Sequence, residues 1–201
     1  MSRLNLGCGL DFRPDYENVD FKEFLNRPHR PTTIVDLSKL PWPWKDRSVE
    51  EVLMLDFLEH FPYRQTENIL GETWRILQPR GFVDIQVPDF EHCARAAIRL
   101  IPYKCNVCGY KFDLSPSELR GCPQCHQTHL KIADAAVRRL YGGQDYTGNW
   151  HFTAFTKELL EDILKRNGFG SFQYLEAQHQ YDNWNFKIRA FKTDDVWSED
   201  G

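Results

Sequence analysis

Short apolar stretches, separated by polar segments containing glycine and proline, run along the whole chain. Five of them have the length of β-strands, and they cover 3–6, 17–21, 32–37, 49–55 and 82–87. Two further stretches, 172–178 and 184–191, are typical of a hairpin-like pair of closing strands. The pattern predicts a sheet built from seven strands.

Helical periodicity appears between and after these strands. It predicts a helix over 66–77, ended by Pro79 and Gly81, and further helices over 91–100 and 133–141. Alternating strands and helices favour an α/β fold with a doubly wound, mostly parallel sheet whose last strand is antiparallel.

The last helix carries signals at both of its ends. Thr156 is a typical N-cap residue, and Gly168 is placed to follow the C-cap. The buried face is predicted to consist of Leu159, Leu160, Ile163 and Leu164.

Length and composition indicate a folded globular chain. There are 201 residues, of which 41% are hydrophobic and 14% aromatic, enough for one domain with a small appended module. The net charge of −4 gives no general attraction to nucleic acid or to an anionic membrane. No apolar run approaches the roughly 20 residues of a membrane span, and the chain enters a strand without a signal peptide. We expect a cytoplasmic protein.

The first strand runs directly into Gly7-Cys8-Gly9. Glycine lets the backbone turn sharply and lets a ligand approach closely, and ligands of open α/β sheets bind at the carboxyl ends of the strands. Phe12 stands where a dinucleotide fingerprint needs its third glycine, and no Lys-Ser/Thr pair indicates a phosphate loop. A plain strand-to-loop turn is the alternative.

The second strand ends in an acid, Asp20. A carboxylate at this position is well placed to accept hydrogen bonds from a ribose diol. Asp20 follows the glycines much sooner than the usual 20 or so residues, so the first crossover is too short for a full helix. A turn or capping role is the alternative for this residue.

Two Cys-x-x-Cys pairs lie between the second and third predicted helices, and their members are Cys105, Cys108, Cys122 and Cys125. Four thiolates suit tetrahedral Zn²⁺, and a site with four protein ligands is closed, which indicates a structural ion. A redox dithiol and an iron–sulfur cluster are the less favoured readings, and His126 and His129 are alternative ligands. The remaining cysteines, Cys8 and Cys93, are expected to be small packed residues.

The stretch 103–130 is therefore predicted to be a zinc-ribbon insertion. So short a segment builds little core of its own, and an ion replaces that core. The insertion follows the fifth strand and its helix, so we expect it over the carboxyl edge of the sheet, as one wall or lid of an acceptor pocket.

The order of these features resembles the class I S-adenosylmethionine-dependent methyltransferases, in their small form that begins at strand one. The matching segments are 4–9, 18–20, 36–37, 55–60, 81–83, 141–144, 149–152 and 167–169. The resemblance covers nearly the whole chain outside the cysteine insertion. It implies a Rossmann-like domain over 1–102 and 131–192, followed by an acidic tail over 193–201.

The resemblance also implies where S-adenosylmethionine binds. Gly7 and Gly9 would pass close to its methionine part, and Asp20 would hold the ribose hydroxyls. The remaining cofactor contacts would come from two pairs of residues. Asp36 and Leu37 would border the adenine, and Leu55 and Asp56 would lie beside the sulfonium.

Methyl transfer to a hydroxyl or amine can also need a general base. The candidates are His60, Asp89 and His151. His60 and Asp89 follow strands four and five, and His151 lies in the polar and aromatic loop 144–155, which we call the late loop. Capping or packing is the alternative for each, and an enzyme that relies on proximity alone needs none of them.

The expected activity is methylation of a small-molecule or glycan acceptor, on which Tyr146 and Trp150 of the aromatic late loop could stack. One alternative is a nucleic-acid or protein methyltransferase that uses the zinc ribbon for recognition. Basic residues around the ribbon favour that alternative slightly, whereas the acidic net charge speaks against it. The other alternative is a non-catalytic binding module with the same fold.

Overall fold

The computed structural model describes residues 2–21, 30–97, 103–104, 107–112, 124–126, 132–144, 148–177 and 184–193. Its strands are β1 (Ser2–Leu6), β2 (Glu17–Asp20), β3 (Thr33–Ile34), β4 (Val49–Leu55), β5 (Leu77–Pro88), β6 (Tyr103–Lys104), β7 (Lys111–Phe112), β8 (Phe169–Leu175) and β9 (Asn185–Lys192). Its α-helices are α1 (Tyr63–Ile76), α2 (Phe90–Ala97), α3 (Ile132–Tyr141) and α4 (Lys157–Arg166), and a short 3₁₀ helix spans Leu58–His60.

Seven of the described strands form one sheet in the order β3-β2-β1-β4-β5-β9-β8. The pairs among the first five strands are parallel, and β9 is antiparallel to both of its neighbours. This confirms the predicted mostly parallel sheet with an antiparallel last strand. The order reverses between β1 and β4, and such a reversal is where open α/β sheets bind ligands.

The central strands carry the core. Many apolar side chains of β1, β4 and β5 are fully buried, as expected for parallel strands covered on both faces, and they include Leu4, Leu6, Val52, Met54 and Ile85. The predicted ends of α4 are also confirmed. The Thr156 hydroxyl accepts a hydrogen bond from the Leu159 amide, and Gly168 follows the C-cap residue with φ +82°.

The end of α1 differs from the prediction. The helix stops at Ile76, and Leu77, which was expected to be its last residue, instead begins β5 opposite Val49. The Leu77 carbonyl accepts a hydrogen bond from the buried Lys192 ammonium of β9. This bond replaces the one that a backbone amide would donate to the same carbonyl if the helix continued. Other boundaries differ as well: α1 begins at Tyr63, β3 contains only Thr33–Ile34, and Pro79 and Gly81, which were expected to end the helix, lie inside β5.

The first crossover contains no helix, as its length predicts. A pair of buried asparagines organises it instead. Asn5 on β1 donates from Nδ2 to Asn18 Oδ1 on β2, and Asn18 Nδ2 donates to the carbonyls of Arg13 and Tyr16. These bonds fold the short loop back onto its own strands, beside the glycine turn.

Within the described part of 103–130, β6 and β7 form a small antiparallel sheet. Cys108 lies in the turn between these strands and is followed by Gly109 with φ +74°, and Cys125 is followed by His126 with φ +56°. The predicted ligands Cys105 and Cys122 lie outside the described residues. No helix in the described part of the chain is long and apolar enough to cross a membrane.

Candidate functional site

The glycine turn lies at the carboxyl edge of the sheet, where β1 ends between β2 and β4. Both glycines have left-handed backbone, with φ +64° at Gly7 and φ +49° at Gly9. A Cβ on Gly7 would lie 2.3 Å from Cδ2 of Phe57, a residue that follows β4. Gly7 is thus required both for its φ and for the close approach of this aromatic ring.

Asp20 ends β2 beside this turn. Its Oδ2 accepts a hydrogen bond of 2.9 Å from the Gly9 amide, and its Oδ1 accepts one of 2.8 Å from the amide of Phe21. The residue is 4% exposed. A carboxylate has about four acceptor positions, so an acid at this place has the chemistry to accept hydrogen bonds from a diol.

The two residues expected beside the adenine differ in exposure. Asp36 is exposed, and the Ser38 hydroxyl and the Lys39 ammonium beside it hold the pKa of its carboxyl below the usual range. Leu37 is buried in the core, and its carbonyl accepts a hydrogen bond from the indole of Trp42. Asp36 is therefore the accessible member of the pair.

Asp56 follows β4 with a positive φ of 52°, a conformation that places its carboxylate at the edge of the sheet. Asp56 accepts hydrogen bonds from Gln86 Nε2 at 3.2 Å and from Asn185 Nδ2 at 2.5 Å. Leu55, which precedes it, is 9% exposed. The neighbouring strands β5 and β9 thus hold the acid in place.

His60 and His151 come together although they are far apart in sequence. Their ring centroids lie 4.7 Å apart in an edge-to-face arrangement. His60 Nδ1 lies 2.9 Å from the Trp150 carbonyl, and His151 Nδ1 lies 2.8 Å from the Arg139 carbonyl. A carbonyl can only accept, so each Nδ1 carries the proton and each Nε2 keeps its lone pair when the ring is neutral.

Glu59 is the third polar side chain at this place. It is 1% exposed, and neither carboxylate oxygen has a hydrogen-bond partner among the described residues. Burial, and next the nearby Asp56 carboxylate, hold the pKa of Glu59 well above its usual range. Burial also lowers the pKa of His60 and, together with the neighbouring His60, lowers the pKa of His151 to about 4.

Backbone hydrogen bonds fix the late loop against the 3₁₀ helix. The amides of Phe152 and Thr153 both donate to the Glu59 carbonyl, and the Thr153 hydroxyl donates to the Phe61 carbonyl. The His151 amide donates to the carbonyl of Tyr141, the last residue of α3. The two histidines therefore lie on backbone that is held on both sides.

Asp89, the third candidate base, has a capping contact. Its Oδ1 accepts a hydrogen bond of 3.1 Å from the His92 amide in the first turn of α2. The isolated cysteines are packed as expected, because Cys8 and Cys93 are buried and burial raises the pKa of each thiol to about 12.

Exposed aromatic side chains lie near the carboxyl edge of the sheet. Trp150 and Phe152 flank His151 and are 46% and 62% exposed, and Phe21, which follows Asp20, is 48% exposed. A Cβ on Gly148 of the late loop would lie 3.3 Å from Phe21, so that loop and the end of β2 are in contact. Tyr146 lies outside the described residues.

Sequence reasoning did not identify Glu59. A buried carboxylate is not visible in a Leu-Glu-His segment, because an acid at a helix start is normally solvated. The available signal was its position: Glu59 lies three residues after Asp56 and directly before His60, in the loop that follows β4.

No protein-family model and no curated protein matches the sequence. The fold does match solved structures. An S-adenosylmethionine-dependent methyltransferase, possible histamine N-methyltransferase, from Thermotoga maritima aligns with a TM-score of 0.54 at 15% identity, covering 96% of this chain and 82% of that one. The Burkholderia thailandensis 1,6-didemethyltoxoflavin-N1-methyltransferase, solved with S-adenosylhomocysteine bound, aligns with 0.54 at 15%, covering 96% and 71%.

An S-adenosylmethionine-dependent methyltransferase from Archaeoglobus fulgidus aligns with a TM-score of 0.55 at 12% identity, covering 95% of this chain and 86% of that one. At these identities the likeness is one of fold. The chain therefore has the class I fold of S-adenosylmethionine-dependent methyltransferases.

Proposed function

We propose that this protein is an S-adenosylmethionine-dependent methyltransferase that acts on a small-molecule or glycan acceptor. The observation that carries the proposal is the direct hydrogen bond between the Gly9 amide and the Asp20 carboxylate, at the point where the strand order reverses. It joins a turn that a ligand can approach closely to an acid that can hold a diol. The similar folds of known methyltransferases support the same reading.

The residues present fit the cofactor. In this proposal Gly7 and Gly9 approach its methionine part, Asp20 accepts hydrogen bonds from the ribose hydroxyls, and Asp36 accepts from the adenine amine. Leu37 packs behind that position. Leu55 and Asp56 lie at the sulfonium end, and Asp56 is held there by Gln86 and Asn185. When bound, S-adenosylmethionine would supply an electrophilic methyl group.

What the chain contributes to the reaction is alignment of the acceptor, which supplies several kcal/mol through effective concentration. The exposed rings of Phe21, Trp150 and Phe152 offer faces on which a planar or sugar acceptor can stack. Among the candidate bases, His60 and His151 rank ahead of Asp89, because one oxygen of Asp89 already accepts the amide of a helix. Among the similar structures, the Burkholderia enzyme's name also denotes a small-molecule acceptor.

We also propose that Cys105, Cys108, Cys122 and Cys125 hold a structural Zn²⁺. The second cysteine of each pair is followed by a residue with positive φ, as expected for two equivalent tight turns around one ion. The insertion 103–130 then forms a zinc ribbon between the two parts of the methyltransferase domain, 1–102 and 131–192, and 193–201 is an acidic tail. Thiolates at metal spacing favour a reducing compartment, and this supports the proposal of a cytoplasmic location.

Calorimetric titration of the purified protein with S-adenosylhomocysteine and S-adenosylmethionine tests the proposal. We expect binding of one molecule per chain, and no binding of NADH or ATP as control nucleotides. Absence of binding to a folded protein would contradict the methyltransferase assignment and favour a non-catalytic module.

The role of the ribbon as a wall of the acceptor pocket has its own test. Removal of 104–130 is expected to leave cofactor binding intact and to abolish acceptor turnover. Unchanged turnover by the folded deletion variant would contradict that role.

A further inference from the structure

A buried carboxylate and two histidines share one small space at the carboxyl edge of the sheet. Glu59, His60 and His151 each present one ligand atom, and these atoms lie within 4.8 Å of one another. Within the described residues this is the group of His, Cys, Asp and Glu side chains whose spacing suits a metal ion. It is separate from the cysteine pairs of the insertion.

The carboxyl group of Glu59 is buried without a partner in the described part of the fold. It is 1% exposed, and both of its oxygens are without a hydrogen-bond partner among the described residues. A buried carboxylate without a partner costs several kcal/mol unless it takes up a proton or a cation compensates it. The guanidinium of Arg139 is close enough to influence its pKa, but it forms no hydrogen bond with the carboxylate.

Each histidine ring has the backbone hydrogen bond that metal-binding histidines usually have. In each ring Nδ1 donates to a backbone carbonyl, that of Trp150 for His60 and that of Arg139 for His151. Such a bond fixes the tautomer and the ring orientation and leaves Nε2 as the ligand atom. The ligand atoms of the group lie within 4.8 Å of one another, compared with at most about 4.2 Å for nitrogen and oxygen donors about 2.1 Å from one ion.

Backbone hydrogen bonds of the fold itself hold the three residues near one another. Glu59 and His60 lie on the 3₁₀ helix after β4, and the amides of Phe152 and Thr153 donate to the Glu59 carbonyl. His151 is held between that contact and the hydrogen bond of its own amide to Tyr141. The three proposed ligands therefore come from two segments that backbone hydrogen bonds already join.

We propose that Glu59, His60 and His151 bind a divalent transition-metal ion such as Mn²⁺, Fe²⁺ or Zn²⁺. A set of two histidines and one carboxylate is typical of such ions, and three protein ligands leave positions open for another ligand. The exposed side chains of Trp150 and Phe152 are the sequence neighbours of His151. The ion holds an oxygen or nitrogen atom of the acceptor in place, and with the ion bound the two histidines serve as ligands and not as general bases. This role of the ion rests on the proposed methyltransferase function, whereas the binding of the ion does not.

Titration with Mn²⁺, followed by the electron paramagnetic resonance signal of the free ion, tests the site. Mn²⁺ suits oxygen and nitrogen ligands better than thiolates, so the cysteine pairs contribute little. We expect one Mn²⁺ per chain in the wild type and at least tenfold weaker binding in Glu59→Gln and His151→Ala. His92→Ala is the matched control, because its ring packs against Trp184 outside the group, and it should bind Mn²⁺ as the wild type does.

Thermal unfolding of each variant without metal shows that it is folded, and Glu59→Gln keeps the volume of the side chain. Mn²⁺ affinity that is equal in wild type and His151→Ala would overturn the site, as would an absence of Mn²⁺ binding together with no Zn²⁺ beyond that held by the cysteines. Titration with S-adenosylhomocysteine under metal-free conditions separates the two proposals. Metal binding without cofactor binding contradicts only the methyltransferase function, and cofactor binding without metal binding contradicts only the metal site.

Discussion

Asp20 Oδ2 accepts a hydrogen bond of 2.9 Å from the amide of Gly9, across a crossover that contains no helix. The acid at the end of β2 is thus coupled directly to the turn at the end of β1. The buried side chains of Asn5 and Asn18 support this contact. Their hydrogen bonds join β1 to β2, and β2 to the loop between the two strands. A crossover without a helix can therefore still place an acid directly beside the glycine turn.

Substitution of Asp20 therefore tests both its proposed roles. Asp20→Ala removes the acceptor for the Gly9 amide and for the ribose hydroxyls, so we expect S-adenosylhomocysteine affinity to fall at least about tenfold. Asp20→Asn keeps one oxygen for the Gly9 amide and should lose less. Calorimetric titration measures both variants, with Asp15→Ala as the control, because Asp15 is an exposed acid of the same crossover. Wild-type affinity in Asp20→Ala would remove this residue from the cofactor site.

Much of the fold was predictable because it depends on local signals. The strand Val49–Leu55 has its predicted bounds, and Thr156 caps its helix as its side chain predicts. The predicted end of α1 was wrong at Leu77. That boundary is set by pairing with Val49 and by the Lys192 ammonium, and neither contact is visible in local periodicity.

The candidate site was predictable only in part. His60 and His151 were selected as separate bases, whereas the structure places their rings 4.7 Å apart. That contact depends on the loop after α3 reaching the 3₁₀ helix about 90 residues earlier in the chain. Glu59 was not selected at all, because its burial results from the same long-range contact and not from its neighbours in sequence.

Gly7 is expected to tolerate no side chain. Gly7→Ala combines a left-handed φ with a Cβ 2.3 Å from Phe57, so we expect a loss of about 2–4 kcal/mol in the free energy of unfolding. Gly9→Ala is the matched control: its Cβ would have no atom closer than 3.8 Å, so only the backbone strain of about 1–2 kcal/mol remains.

Urea unfolding measures these values and also separates the two causes. Phe57→Leu should cost less in the Gly7→Ala background than in the wild type, because the smaller side chain relieves the clash there. Strictly additive losses in this double-mutant cycle would show that the Phe57 ring does not restrict Gly7.

The cysteine pairs predict a defined change in metal content. Cys108→Ser and Cys125→Ser should each lower the bound Zn²⁺ by one equivalent per chain, because a tetrahedral site that loses a thiolate binds far more weakly. His126→Ala, next to Cys125, should keep the wild-type content if four thiolates complete the site. Elemental analysis after dialysis against a weak chelator measures all three variants. Loss of zinc from His126→Ala would instead assign this histidine as a ligand.

The carboxylate of Glu72 predicts how stability depends on pH. Its Oε1 accepts hydrogen bonds of 2.6 Å from the Trp42 amide and from Arg75, and its Oε2 accepts a second bond from Arg75. The hydrogen bonds from Arg75 are the main cause that lowers the pKa of Glu72 below its ordinary value of 4.5. These contacts fasten the segment around Trp42 to α1.

The folded state therefore binds fewer protons at Glu72 than the unfolded state does just below pH 4.5. The stabilisation is complete above that pH and is lost as the pH falls through the folded-state pKa. Glu72→Gln should be less stable than the wild type at neutral pH, and the difference should shrink in acid. Urea unfolding between about pH 7 and about pH 3 measures this, with the exposed Glu176→Gln as control. A difference that stays constant over this range would show that Glu72 is not held as a carboxylate by Arg75.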